Sequence, residues 1–199
     1  MLKSNDEYKN VILKNIDIAN KNSPNRPVKI NGKGYCEVPE GVTKIDNGCF
    51  YNRIKLKKIE LPETLKEIGD YAFKFSEIPE IQIPEGVFRI GTGCFQNSSI
   101  LKEIKLPSNL REIGDYAFKL SDIPKIYIPE GVIKIGTGCF CQCYRLTSVS
   151  LPGTLKEISN DAFEYCFNLK TIIAPTNVIN LLKSSKVMLP RNIKINERK

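Results

Sequence analysis

Cys139, Cys141 and Cys143 alternate in the stretch CFCQCY, the densest group of reactive side chains in the sequence. Thiols at this spacing suggest a soft-metal site, and Cys141 suggests a nucleophile. Both chemistries need partners. A cysteine nucleophile is activated by an adjacent base, commonly an imidazole, and zinc sites draw on His or on Cys-x-x-Cys pairs. The 199 residues contain no His, and no two of the seven cysteines have Cys-x-x-Cys spacing. Ser-His-Asp and Cys-His arrangements are therefore excluded. Glu40, Glu63, Glu85 and Glu130 recur at long, regular intervals, which spreads them along an edge instead of gathering them. Gly-Thr-Gly at Gly91 and Gly136 lacks the third glycine of a phosphate-binding turn. The expectation is a protein with no catalytic residue, no metal site and no cofactor.

The intervals that scatter the carboxylates organise the whole chain. Hydrophobic-Pro pairs fall at Val38-Pro39, Leu61-Pro62, Ile83-Pro84, Leu106-Pro107, Ile128-Pro129, Leu151-Pro152 and Ala174-Pro175, with spacings of 23, 22, 23, 22, 23 and 23 residues. Alternate units are closer relatives: the 23 residues from Leu65 match those from Leu110 at 18 positions, a separation of 45. Repeats of this length indicate a solenoid, whose units cannot bury an apolar face alone and stack on their neighbours. Segments such as LKKIEL and LKEIKL place apolar residues at positions 1, 4 and 6, which predicts a short strand with its other positions in solvent. The proline that follows cannot donate to a ladder and ends the strand. TLKEI and GVIKI predict a second extended stretch on the opposite wall.

Asp46, Gly69, Gly91, Gly114, Gly136 and Ser159 come next, all accepted helix N-caps, and predict a single helical or 3₁₀ turn. Phe50, Phe73, Phe95, Phe118, Phe140 and Phe163 then form one core ring per unit. Cys49, Cys94 and Cys139 occupy the place of Ala72, Ala117 and Ala162, which marks them as small buried plugs two rungs apart, too far for disulfides. Cys143 and Cys166 lie on neighbouring rungs and could bridge if oxidised.

Units such as LPETLKEIGDYAF and LPGTLKEISNDAFEYCFNLKTI resemble the BspA-type leucine-rich repeats, also described from Treponema pallidum, over roughly residues 33–175. The resemblance implies a leucine-rich repeat solenoid, mostly β with short helical or 3₁₀ turns, in about six units. It also implies protein binding or adhesion as the activity. Two units are a residue short, and the Phe-x-x-Cys cysteine of the family occurs only as Cys143 and Cys166.

Three segments are expected: a helical N-terminal cap over 1–32, the solenoid over 33–175, and a C-terminal cap with a basic tail over 176–199. Ser4 and Glu7 form a capping box before an apolar helical series. The net charge of +8 comes from the ends: residues 1–30 carry six Lys/Arg against three Asp/Glu, residues 175–199 six against one, and the middle is neutral. Nucleic acid is thus a poor partner for the solenoid, and the basic tail from Lys183 to Lys199 is the alternative site, for nucleic acid or an anionic surface. The opening residues do not read as a secretory leader, and no run is long enough for a membrane span. With an odd number of thiols, this favours a cytoplasmic location over the cell surface. Asn97-Ser98-Ser99 is a glycosylation sequon by pattern only. A monomer is expected.

A protein partner of unknown identity belongs on the strand face, where the repeat leaves side chains free. The inward curve expected of the solenoid makes this a concave platform. The positions are Lys57, Lys58, Glu60, Glu80, Gln82, Lys102, Glu103, Lys105, Lys125 and Tyr127, interrupted by Pro79 and Pro124. Tyr127, between lysines, is the expected anchor.

Overall fold

The computed structural model describes residues 30–198. The helix expected behind Ser4 and Glu7, and most of the cap assigned to 1–32, lie outside the described residues. From Tyr35 onward each unit makes one circuit of a β-solenoid, with a longer strand, a proline turn, a shorter strand and a run of turns. The longer strands are β1 (Tyr35–Glu37), β3 (Lys58–Glu60), β5 (Glu80–Gln82), β7 (Glu103–Lys105), β9 (Lys125–Tyr127), β11 (Ser148–Ser150) and β13 (Thr171–Ala174). The shorter ones are β2 (Lys44–Ile45), β4 (Glu67–Ile68), β6 (Arg89–Ile90), β8 (Glu112–Ile113), β10 (Lys134–Ile135) and β12 (Glu157–Ile158). Both strand sets fall where the apolar spacing placed them.

The short strands pair in parallel from β2 to β12 as one six-stranded sheet. The long strands form three separate pieces, β1-β3, β5-β7 and β9-β11-β13-β14, where β14 spans Lys194–Glu197. The breaks have a local cause. Lys102 and Thr147 each donate a backbone N–H, at 2.8 Å, to the carbonyls of Pro79 and Pro124 one rung earlier. Pro79 and Pro124 occupy the same register position and have no N–H to donate onward. These prolines sit in the two 22-residue units.

The expected helical turn takes the form of consecutive tight turns. Ala72, Lys74 and Ser76 donate to the carbonyls three residues back, at Gly69, Tyr71 and Phe73. The intervening N–H groups go to the next rung instead: Phe73 to Cys94, Phe95 to Ala117 and Phe118 to Cys139, at 2.7–2.8 Å. A helix cannot accumulate, because Asn52, Phe75, Asn97, Leu120, Gln142 and Tyr165, two residues after each core Phe, hold φ of 55–60°. The six Phe rings stack face to face at 5.2–5.4 Å, within 10° of parallel, and are buried. Cys49, Cys94 and Cys139 are fully buried as core plugs, and all seven cysteines are free.

Three residues beyond each core Phe from Phe73 to Phe163 lies a buried polar ladder of Ser76, Ser98, Ser121, Cys143 and Cys166, and the first rung has the half-buried Arg53 there instead. Serine fills the family's cysteine position in three rungs. The Cys143 and Cys166 thiols donate to the carbonyls of Phe118 and Phe140 at 2.9 Å, and the Ser98 hydroxyl to that of Phe73 at 3.3 Å. The Ser76 hydroxyl lies 3.4 Å from that of Ser98 and the Ser121 hydroxyl 3.6 Å from the Cys143 thiol, so each member of the ladder has a hydrogen-bonding neighbour.

The 45-residue period has a steric origin. Tyr71 and Tyr116 alternate along one ladder with Gly48, Gly93 and Gly138, all at positive φ. A β-carbon on Gly93 or Gly138 would stand 2.5 Å from the ring of Tyr71 or Tyr116. Large side chains thus lie across glycines of the following rung. The same rule holds at the proline turn, where Arg111 occupies the space a β-carbon on Gly131 would need. Two rungs, one large and one small, make the repeating cell. At the C-terminal end α1 (Thr176–Ser184) buries Val178 and Leu182 and takes the place of a short strand, and β14 pairs in parallel with β13.

Candidate functional site

The two-residue stride of the long strands sorts side chains cleanly. Ile59, Ile81 and Ile126 point into the core, and their neighbours Lys58 and Glu60, Glu80 and Gln82, Lys125 and Tyr127 point to solvent. Glu103 and Lys105 flank a half-buried Ile104 in the same way, and Lys57 and Lys102 are exposed one residue ahead of β3 and β7. All ten residues expected on this face are there and exposed. In register, Glu80 stands opposite Glu103, Gln82 opposite Lys105, Lys125 opposite Ser148 and Tyr127 opposite Ser150.

The face is not uniform. Near β3 its charges satisfy one another: Lys57 pairs with Glu77, and Lys58 with Glu60 at 3.1 Å. The Tyr35 hydroxyl donates to Glu60 at 2.7 Å. That hydrogen bond pushes the Tyr35 phenol up to about 12 and, with Lys58, holds the Glu60 carboxyl below its ordinary value. Across β5, β7 and β9, Glu80, Lys102, Glu103, Lys105 and Lys125 enter no ion pair among the described residues. Like carboxylates directly opposite each other, as Glu80 and Glu103 are, repel. Beside them Tyr127 is 55% exposed. Toward β11 and β13 the face becomes a set of half-buried hydroxyls, Thr147, Ser148, Ser150 and Thr171.

The carboxylates of the proline edge act as clamps between rungs, a role their spacing alone did not disclose. Glu85 accepts the Ser108 hydroxyl and N–H, each at 2.8 Å, and these two bonds lower its pKa. Glu130 accepts the Gly153 N–H at 3.0 Å and pairs with Arg198, so part of the basic tail is fastened to the solenoid. On the alternate rungs Thr64 and Thr154 accept from Gly41 and Gly131 at 2.9 Å.

The Cys143 and Cys166 thiols meet on neighbouring rungs, but among the described residues no three potential ligands form a metal-binding group. Burial pushes the Cys141 and Cys139 thiols up, away from the thiolate a nucleophile needs. Cys166 is pushed up by its hydrogen bond with Cys143 and then by burial. The Gly-Thr-Gly loops spend their N–H groups internally: Gly91 on Ile68, Thr92 on Asp70, Gly93 on Asp115. In the sequon, Ser98 is wholly buried. Among the described residues no helix is long and apolar enough to cross a membrane. Sequence reasoning passed over the exposed pair inside each Leu/Val-x-x-Ile segment of the short-strand wall. Its signal was there, since basic and apolar residues alternate at Lys66, Phe88, Arg111, Ile133 and Lys156.

The family model for the BspA type leucine rich repeat region matches in six copies over residues 34–130 and 67–186. No curated protein matches the chain significantly. Among solved structures, a leucine-rich repeat protein of Bacteroides ovatus aligns at 22% identity with a TM-score of 0.51, over 83% of this chain and 54% of its own. The T. pallidum leucine-rich repeat protein aligns at 24% and 0.54, over 83% and 70%. One from Eubacterium ventriosum aligns at 17% and 0.62, over 74% and 41%. The chain thus spans about half the length of the Bacteroides ovatus protein, and at these identities the likeness is one of fold.

Proposed function

The chain belongs to the BspA-type leucine-rich repeat family, and on that premise we propose that it is a non-catalytic module whose long-strand face binds a protein partner, centred on β5, β7 and β9. The family implies interaction or adhesion. The choice of face rests on one observation: Glu80, Lys102, Glu103, Lys105 and Lys125 stand exposed without ion pairs, around an exposed Tyr127 that the repeat does not require. Charges of both signs around an aromatic anchor suit electrostatic complementarity with another protein better than a single-sign groove for nucleic acid. The working residues are Lys57, Lys58, Glu60, Glu80, Gln82, Lys102, Glu103, Lys105, Lys125 and Tyr127, with Tyr127 as anchor.

The test is a pull-down from lysate of the source organism. It compares the intact protein with a variant carrying Lys102→Ser, Lys105→Ser, Lys125→Ser and Tyr127→Ser, its folding checked by circular dichroism. A partner retained by the first and lost by the second is expected. Equal recovery overturns the choice of face, and a salt-sensitive association abolished by deleting residues 183–199 would move the activity to the basic tail.

A further inference from the structure

The short-strand wall presents two outward rows. One runs Lys44, Glu67, Arg89, Glu112, Lys134 and Glu157, in register from β2 to β12. Most of it is paired: Lys44 with Glu67 at 3.5 Å, Lys134 with Glu157 at 3.8 Å, and Arg89 with Asp70 of the neighbouring turn at 3.5 Å, which leaves Glu112 without an ion pair among the described residues. The residue just before each of β4, β6, β8, β10 and β12 belongs to the second row: Lys66, Phe88, Arg111, Ile133 and Lys156. Its three cations enter no ion pair among the described residues, and Arg111 donates only to the neutral Leu110 carbonyl, at 3.2 Å. Phe88 and Ile133 between them are 42% and 44% exposed.

We propose that this row is a docking track for an acidic amphipathic α-helix of a partner protein, lying along the solenoid axis. Spacing and charge both fit such a helix. Neighbouring strands lie about 4.8 Å apart, and the Phe rings inside mark the rungs at 5.2–5.4 Å. An α-helix has a pitch of about 5.4 Å, so it advances one turn per rung. A carboxylate at position i, an apolar residue at i+4, and this pair repeated from i+7 then face Lys66, Phe88, Arg111, Ile133 and Lys156 in order. Over four rungs the drift is at most about 2.4 Å, within reach of Lys and Arg side chains.

Other anionic chains fit less well. An extended strand brings residues to one side about every 6.8 Å, out of step with the rungs. A polyproline II chain matches the cations at about 9.3 Å but leaves no side chain opposite Phe88 and Ile133. A nucleic acid duplex offers one charge per ~3.4 Å along each strand and keeps its base faces stacked inside, away from Phe88 and Ile133.

The track is distinct from the long-strand face. Its test uses the full chain and a fluorescein-labelled helical peptide of Ala and Gln that carries Glu and Leu on successive turns. Anisotropy should report saturable binding, weakened about tenfold by Lys66→Gln with Arg111→Gln and Lys156→Gln, and weakened by Phe88→Ser with Ile133→Ser. The same peptide with Glu and Leu moved to opposite faces should bind no better than the triple variant does. A variant carrying Lys66→Glu, Arg111→Glu and Lys156→Glu should instead accept the peptide with Lys in place of Glu, which guards against a variant that has lost its fold. Equal binding of the rearranged peptide, or heparin binding that displaces it without regard to register, would overturn the helix in favour of a general polyanion surface.

Discussion

Phe118 stacks against Phe95 at 5.4 Å and against Phe140 at 5.3 Å, and both its neighbours are themselves sandwiched. Phe118→Ala opens a cavity that no rung can collapse into, and should cost about 3–5 kcal/mol in urea unfolding. The thiols give a prediction with a sign. In the folded chain burial pushes Cys36 up from an ordinary value of 9.0 to about 12, and it pushes Cys49, Cys94 and Cys139 well up too. A folded pKa above the unfolded one means stability that is full below about pH 9 and falls as pH rises through the folded values. The urea midpoint should therefore decline from pH 9 upward, and Cys94→Ala, which copies the sister rungs, should flatten that decline. At this scale the sequence was legible wherever a residue type recurs: the Phe ladder and the Ala/Cys plugs follow from identity alone. The buried Ser76, Ser98 and Ser121 were not, because a search for cysteine three places beyond Phe passes over the hydroxyl that does the same hydrogen-bonding work.

The strands followed from apolar spacing, and the two breaks in the long-strand wall from Pro79 and Pro124. The N–H groups of Glu80 and Lys125 make no bond to the preceding rung, whereas those of Lys58 and Glu103 bond to Gly34 and Pro79. Hydrogen exchange should run faster at Glu80 and Lys125 than at Lys58 and Glu103. The turns were less legible. A left-handed backbone at Phe75 or Leu120 has no signature in the residue itself, since bulky side chains rarely adopt it, and the N–H of each is held by a carbonyl of the next rung, at Gln96 and Cys141. Gly93→Ala should cost ~2 kcal/mol, through contact with the Tyr71 ring and through its own φ of 56°. In a double-mutant cycle with Tyr71→Ala much of the contact part should disappear, leaving the backbone part. The candidate faces were legible as lists of exposed positions. Which of their charges are already paired was not, because partners such as Lys57 and Glu77 lie 20 residues apart and meet only through rung register.

For the molecule as a whole, stability of a solenoid is close to a sum of rungs and rung interfaces. The interface repeats every two rungs, with Tyr71 and Tyr116 over Gly93 and Gly138, so the 45-residue cell is the unit that can be removed cleanly. Side chains outside that requirement, on the long-strand face and at Lys66, Phe88, Ile133 and Lys156 of the short-strand row, are free to serve a partner, and Arg111 serves the rung contact as well. The most direct measurement compares two deletions by urea unfolding. Removing residues 65–109 takes out 45 residues and joins Thr64 to Leu110, restoring the natural order of rungs. Removing residues 87–109 takes out only 23 and sets the Tyr71 rung against the Tyr116 rung with no glycine between. The larger deletion should unfold cooperatively and at the higher urea midpoint, although it leaves fewer rungs. If the smaller deletion is as stable or more so, single rungs are interchangeable and the two-rung cell is wrong.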